Sequence, residues 1–445
     1  MERRYLIRTF GCQMNEHDSE RIAGVLQADG LRPTDDVADA EVVILNTCAI
    51  RENADNRLYG NLGHLKPVKD RNPRLRIVVA GCLAQKDQGA IQARAPWVDV
   101  VIGTHALPQL MELLRQAETD GPQMDVRELT QTFPSALPTA RQDPFRAWVS
   151  IAPGCDNACT FCIVPLVRGP QRSRPLGEIL AEVQGLASTG VVEVTLLGQN
   201  VNTYGRDVTV PGSSRRPLFA DLLRLVGAVE GIRRVRFTSP HPHDFTPDVI
   251  DAMAETPAVC EHIHFPLQSG SDRVLQAMRR SYRSERYLGW LEAIRDAIPD
   301  VAVSTDIIVG FPGETEDDFS QTLRVVEAAR FDAAYTFQYS PRPGTRAASF
   351  ASQVPKEIVQ ERFDRLVSLQ TDVSARLAAA HVGRTVEVLV EGVGKRDSST
   401  QCRTRTNRLV HLPTRHEAGT FLEARITASA AHHLLGEVAL TTVAV

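Results

Sequence analysis

The sequence predicts an α/β protein in three parts: an N-terminal parallel α/β sheet domain, a central partial (β/α)6 barrel of TIM-like type and a small C-terminal β-barrel. Three observations predict it. From about Arg4 to Ala117, short apolar runs rich in β-branched residues alternate with helical stretches, the pattern of strands buried on both faces. The same alternation returns between Trp148 and about Ser340, where six strand–helix units suggest a partial barrel rather than a short open sheet. The tail then switches to short alternating segments, beginning Thr385-Val386-Glu387-Val388-Leu389-Val390-Glu391 and broken by Gly392 and Gly394.

Taken in order, Tyr5 to Phe10, Val42 to Thr47, Ile77 to Ala80 and Val98 to Ile102 are the strands of the first part, which spans 1–118. Residues 119–144 lack periodicity and are rich in Pro, Thr, Gln and Asp, which marks a linker. In the central part, 145–380, a strand before Cys155 is followed by Val192 to Leu197, Arg234 to Thr238, His262 to Leu267, Val301 to Val309 and Ala333 to Tyr339. Helices are expected between them, and a long one from Lys356 to Ala380 separates this part from the tail, 381–445. In barrels of this kind reactive groups gather at the C-terminal ends of the strands. Candidate cofactor contacts there are Gln199 and Asn200, together with Gly310 and Gly313, which permit close backbone approach or simply form a turn.

Composition excludes several classes. The start of the chain has no apolar signal region, and no stretch is long and apolar enough to span a membrane, so a cytoplasmic protein without membrane partners is expected. Eight cysteines in a reducing compartment indicate metal binding or catalysis more often than disulfides. The net charge of −4 advertises no global attraction to nucleic acid, so any such contact rests on local patches. One such patch is the tail's basic turn set: Lys395, Arg396, Arg403, Arg405 and Arg408 are candidate phosphate contacts, with a solvated charged rim as the alternative.

Chemistry is concentrated in two cysteine trios. Cys155, Cys159 and Cys162 are spaced so that three thiolates can meet one cubane iron–sulfur cluster, leaving one iron without a protein ligand. Such open positions are where metals do chemistry. A structural zinc site would add a fourth Cys or His nearby, and the next His is His241. Cys12, Cys48 and Cys82 each follow an apolar run ending in a small or polar residue. Three parallel strands would deliver them to one sheet edge, again as three; three separate buried cysteines are the alternative. Cys260 reads as a buried structural thiol and Cys402 as incidental, while His432 and His433 read as packing residues. His241 and His243 follow a barrel strand and suit either a pocket or a structural role.

These segments resemble a known family. Cys155-x-x-x-Cys159-x-x-Cys162 resembles the radical S-adenosylmethionine signature, the N-terminal cysteines resemble those of the methylthiotransferases, and the tail resembles a TRAM domain. Thr9-Phe10-Gly11-Cys12-Gln13-Met14-Asn15, Asn46-Thr47-Cys48-Ala49-Ile50-Arg51-Glu52, Leu197-Gly198-Gln199-Asn200-Val201-Asn202 and Tyr339-Ser340-Pro341-Arg342-Pro343-Gly344-Thr345 resemble the branch that acts on tRNA. The resemblance covers nearly the whole chain. It departs at Gly169-Pro170-Gln171-Arg172-Ser173-Arg174, where the family more often has Arg-Glu after the glycine, and slightly at His264-Phe265-Pro266-Leu267-Gln268.

The resemblance implies two [4Fe–4S] clusters: one on Cys155, Cys159 and Cys162 that binds S-adenosylmethionine, and an auxiliary one on Cys12, Cys48 and Cys82. It implies methylthiolation of C2 of N6-(dimethylallyl)adenosine beside the tRNA anticodon, through a 5′-deoxyadenosyl radical, in a monomer fed by a low-potential donor such as flavodoxin or ferredoxin. Other targets within the same chemistry are threonylcarbamoyl-adenosine in tRNA or a ribosomal-protein aspartate. A non-catalytic iron–sulfur or zinc RNA-binding protein is the reading from a different class.

Overall fold

The structure, a computed structural model, describes residues 2–49, 52–127, 137–141, 143–208, 216–394 and 399–439. It divides into two compact units. The first comprises Met1–Asp143, Trp148–Ala158 and Cys162–Arg174; the second comprises Pro144–Ala147, Cys159–Phe161 and Pro175–Val445.

In the first unit the strands are β1 (Arg4–Phe10), β2 (Arg32–Pro33), β3 (Val42–Thr47), β4 (Arg76–Gly81), β5 (Val100–Ile102) and β6 (Gln123–Asp125). They form one sheet in the order β2-β1-β3-β4-β5-β6, parallel throughout. Successive side chains on a strand point to opposite faces, so each apolar run supplies two cores. Val43, Leu45, Ile77 and Val79 pack beneath Leu58, Leu62 and Leu65 of the helix Glu52–Arg71. Val42, Ile44, Val78 and Ala80 pack against Ile22 and Leu26 of the helix Gln13–Ala28 and Leu110 and Leu114 of the helix Leu110–Thr119. This double burial is why β3 and β4 read as continuous apolar runs. Strand order turns back between β1 and β3, which places the crevice of a doubly wound sheet at their C-terminal ends.

In the second unit β8 (Glu193–Gly198) pairs parallel with β9 (Arg234–Phe237), and β10 (His262–His264), β11 (Ala302–Val309) and β12 (Ala333–Gln338) form a second parallel set. A single bridge, Val235 to Val259, joins β9 to the segment before β10. β7 (Arg146–Ala152) begins in this unit, where the Phe145 carbonyl accepts from the Val192 and Glu193 amides. All six central strands thus stand within a residue or two of their expected bounds, except that β10 ends at His264 rather than Leu267. Pro266 cannot donate to a ladder and stops it.

The tail is a closed barrel, β13 (Thr385–Val393), β14 (Thr400–Thr404), β15 (Leu409–Leu412), β16 (Phe421–Ala430) and β17 (His433–Val438), in the order β13-β14-β15-β17-β16. Val388, Val390, Val410, Leu412, Ala424 and Ile426 fill it, and so does Cys402. Cys402 is therefore a core side chain rather than an incidental one, and burial pushes its thiol up to about 12.

Candidate metal centres

Cys12, Cys48 and Cys82 meet at the sheet edge, as the strand pattern predicts. Phe10 pairs with Thr47 and Thr47 with Gly81, so the three chains leave the ladder level with one another. Cys82 and Cys48 follow immediately, and the Cys48 amide donates to the Phe10 carbonyl at 2.8 Å. Cys12 caps the helix Gln13–Ala28, its carbonyl accepting from the Asn15 amide. Cys48 and Cys82 are buried and Cys12 half-buried.

The ground beneath the trio is tightly built. Asn46 donates to the Asn15 carbonyl and to Ser19 Oγ, both at 2.8 Å, and Asn15 Nδ2 donates to Asn46 Oδ1 at 3.1 Å. A Cβ on Gly11 would stand 2.5 Å from Asn15 Oδ1 and 2.9 Å from the Cys48 Cβ. Gly81 has φ of +92°, and a Cβ there would lie 2.3 Å from Asn46 Oδ1. Only glycine satisfies both demands.

The electrostatics favour a thiolate at Cys12. A hydrogen bond with Cys48 is the main reason the Cys12 thiol drops to about 6; burial opposes the shift and Arg168 assists it. Burial pushes the Cys82 thiol up, against the pull of Arg168. That arginine is itself buried. Burial works against its charge, but Cys82, Asp18 and Cys12 together hold it protonated even more firmly than usual. Its Nη2 donates to Asp18 Oδ2 at 2.8 Å. Three soft donors and a buried cation suit an anionic iron–sulfur cluster. Among the described residues no three His, Cys, Asp or Glu side chains converge on one point suited to a single ion. A cubane takes each thiolate on a different iron and so asks for wider spacing than one ion would.

The second trio lies on the loop after β7. In the first unit the Cys155 amide donates to the Gly169 carbonyl at 3.0 Å, Arg172 to the Pro153 carbonyl at 3.0 Å and Arg174 to the Ile151 carbonyl at 2.9 Å. The Gln171 amide donates to Asp156 Oδ1 at 3.0 Å. Gly154 has φ of +79°, and a Cβ on it would stand 2.1 Å from the Pro170 carbonyl oxygen. The segment 169–174, which departs from the resembled pattern, therefore braces the cysteine loop. In the second unit Thr160 anchors the loop's middle: its amide donates to the Met278 carbonyl at 3.0 Å and its hydroxyl to the Ala277 carbonyl at 2.9 Å. Arg280 Nη1 donates to Cys159 Sγ at 3.5 Å. Neither Arg168 nor Arg280 carried any signal in the sequence. Each is one arginine among many, and its thiol partner is set by the fold.

The other candidates divide. Asn200 is buried with its Nδ2 on Asp244 Oδ2 at 2.8 Å, and its buried Oδ1 has no partner among the described residues. Gln199 is half-buried beside it. The two glycines sit at turn positions that glycine favours. Gly310 has φ of +75° with a would-be Cβ 2.4 Å from Val359 Cγ2, and Gly313 has φ of +81°. His241 is buried, and burial first, then the Arg280 charge, pushes it down to about 2. Cys260 is buried, as expected.

The described arginines of the basic turn set are engaged within the protein. Arg403 is paired with Glu391, Arg405 with Glu261 and Arg408 with Asp332. In return, Arg236 donates to the carbonyls of Thr404 and Arg405, and the fully buried Arg234 to that of Arg403. These turns fasten the small barrel to β9 and the segments around β10 and β12. Guanidinia already neutralised this way are not open phosphate contacts. Lys395 and Arg396 lie outside the described residues.

Comparison with known proteins assigns each part of the chain to a family. Residues 149–326 match the radical SAM superfamily, residues 4–103 a model described as uncharacterized protein family UPF0004, and residues 379–439 the TRAM domain. The chain is 55% identical over 452 residues to tRNA-2-methylthio-N(6)-dimethylallyladenosine synthase of Saccharopolyspora erythraea, covering 99% of this chain and 91% of that one. It is 56% identical over 445 residues to the protein of the same name from Streptomyces viridosporus, covering 98% and 87%. Among solved structures, the radical S-adenosylmethionine methyltransferase TsrM from Kitasatospora setae shares the fold, with a TM-score of 0.55 at 12% identity over 78% of this chain and 75% of that one. With identity above half along nearly its whole length, the chain belongs to the radical S-adenosylmethionine methylthiotransferases, in the group of the tRNA-2-methylthio-N6-dimethylallyladenosine synthases.

Proposed function

We propose that the protein places a methylthio group on C2 of N6-(dimethylallyl)adenosine beside the tRNA anticodon. The observation that carries the reading is the level exit of Cys12, Cys48 and Cys82 from three adjacent parallel strands, in a chain that also has the Cys155, Cys159, Cys162 loop. In this reading Cys155, Cys159 and Cys162 hold one [4Fe–4S] cluster and Cys12, Cys48 and Cys82 the other. When bound, the clusters and S-adenosylmethionine supply the radical, the sulfur and the methyl group that an unactivated C–H bond requires.

The protein's own part is to hold and to shield. Arg168 offsets the negative charge of the auxiliary thiolates, and the Asn15–Asn46–Ser19 network keeps their strand ends level. Asn200, whose buried Oδ1 lacks a partner among the described residues, and Gln199 beside it are the candidate cofactor contacts. The target base sits in a single-stranded loop and can enter a pocket without melting a helix. The TRAM barrel supports tRNA binding through surfaces other than the Arg403, Arg405 and Arg408 turns.

The same reading includes a monomer in the cytoplasm, a low-potential donor such as flavodoxin or ferredoxin, and domain bounds of 1–118, 119–144, 145–380 and 381–445. No helix among the described residues is long and apolar enough to cross a membrane. Nucleoside mass spectrometry of tRNA from cells lacking the protein tests the activity. Loss of the 2-methylthio nucleoside with accumulation of its dimethylallyl precursor is expected; an unchanged nucleoside profile contradicts it.

A further inference from the structure

Among the described residues no carboxylate pairs with Arg280. Among the described residues its polar side-chain partners are the Tyr282 hydroxyl, 3.2 Å from Nε, and Cys159 Sγ, 3.5 Å from Nη1. The Tyr282 oxygen also lies 2.8 Å from the Leu267 carbonyl and 3.0 Å from that of Pro266. A phenol has one proton, so it donates to that pair of carbonyls and accepts from Arg280. Tyr282 is 5% exposed, its ring packed edge-on against His241 with centroids 5.7 Å apart, and the guanidinium stands 5.3 Å from the Tyr282 ring centre. The planar fork is thus fixed at one end by a hydroxyl that cannot move, and its other end faces sulfur. His241, neutral in this setting, offers no negative charge. With no carboxylate beside it among the described residues, the half-buried guanidinium has the Cys159 sulfur as the acceptor within reach.

We propose that Arg280 is a positioning residue that donates a charge-assisted hydrogen bond to the Cys159 thiolate and thereby raises the reduction potential of the cluster held by that loop. The proposal rests on the reading of Cys159 as a cluster ligand. Reduction adds one electron to the cluster and changes no bond to the protein. A fixed cation at a ligating sulfur stabilises the more negative, reduced state more than the oxidised one. Tyr282 acts through Arg280 by aiming it. The effect eases electron entry from a donor of limited reducing power.

The test is an anaerobic redox titration with dithionite, followed by electron paramagnetic resonance, on full-length reconstituted protein carrying Cys82→Ala to silence the other cluster. Arg280→Met is expected to lower the midpoint potential with iron content unchanged. Arg280→Lys should recover part of the shift, and Tyr282→Phe should give a smaller shift in the same direction. An unmoved midpoint in Arg280→Met overturns the proposal. If that variant fails to hold iron, Tyr282→Phe decides, and its unmoved midpoint overturns the proposal equally. Retention of full iron by Cys159→Ala in the same background would instead overturn the cluster reading, a separate outcome.

Discussion

Arg168 Nη2 and Asp18 Oδ2 lie 2.8 Å apart, buried, although 150 residues separate them in sequence. The pair joins the helix Gln13–Ala28 to the segment after the second cysteine loop, and it stands against Cys82 and Cys12. Removing one partner leaves the other as an unpaired buried charge, which costs about 3–5 kcal/mol. Arg168→Met should therefore lower the unfolding midpoint strongly. It should also reduce iron bound at Cys12, Cys48 and Cys82, while Asp18→Asn alone should cost less, since the thiolates still answer the arginine. Denaturant unfolding with iron analysis checks this, and an Arg168→Met protein of wild-type stability would contradict it.

Gly81 has a conformation and a neighbour that exclude any larger residue. Gly81→Ala would force a Cβ to within 2.3 Å of Asn46 Oδ1, at a φ that side chains resist. The expected result is displacement of Cys82 from the trio, seen as loss of about half the iron. By contrast Gly60→Ala, inside the helix Glu52–Arg71 where an added Cβ meets nothing within 4 Å, should leave the iron content unchanged.

Glu391 links pH to the integrity of the small barrel. Its buried carboxylate would be pushed up by burial, but Arg403 above all, with Gln401 and Arg146, holds it at about 2 against an ordinary 4.5. A depressed carboxylate contributes stability above its unfolded value and loses it as pH falls from about 4.5 toward about 2. The linkage is at most roughly 3 kcal/mol. Glu391→Gln should flatten the acid limb of stability measured by urea midpoints. A wild-type acid profile in that variant would contradict the assignment.

Arg405 distinguishes the two readings of the basic turns. It donates to Glu261 at 2.8 Å and to the carbonyls of Pro257 and Val259 at 2.9 and 2.8 Å. Arg405→Ala should cost about 1–3 kcal/mol of stability. Its effect on tRNA binding should not include a reduced salt slope, the sign of a lost phosphate contact. A shallower slope at unchanged stability would restore the phosphate reading. For the same reason, deleting everything after Ala380 is a poor probe of tRNA binding: it strips Arg234, Arg236, Glu261 and Asp332 of their partners.

Strand placement was legible because β3 and β4 are largely apolar and β-branched where both faces are covered, a local property of the chain. The cysteine trios were legible because strand ends in a parallel sheet share one edge, so Thr47 and Gly81 could be aligned without coordinates. The pairings of Arg168 with Asp18, Arg280 with Cys159 and Arg408 with Asp332 were not, because a charged side chain carries no local mark of a partner a hundred residues away. Cys402 misled for a related reason. Its sequence neighbours are polar because alternate residues of β14 face outward, while it faces the core.

The account stands on two thiol trios that each carry a cluster. Iron analysis of anaerobically reconstituted wild type and Cys82→Ala, run beside an assay for 5′-deoxyadenosine and for methylthiolated tRNA, tests this most directly. About eight irons in the wild type and about four in the variant are predicted. The variant should still cleave S-adenosylmethionine and yield no methylthio product. A variant that keeps the wild-type iron content and still methylthiolates tRNA would contradict the claim.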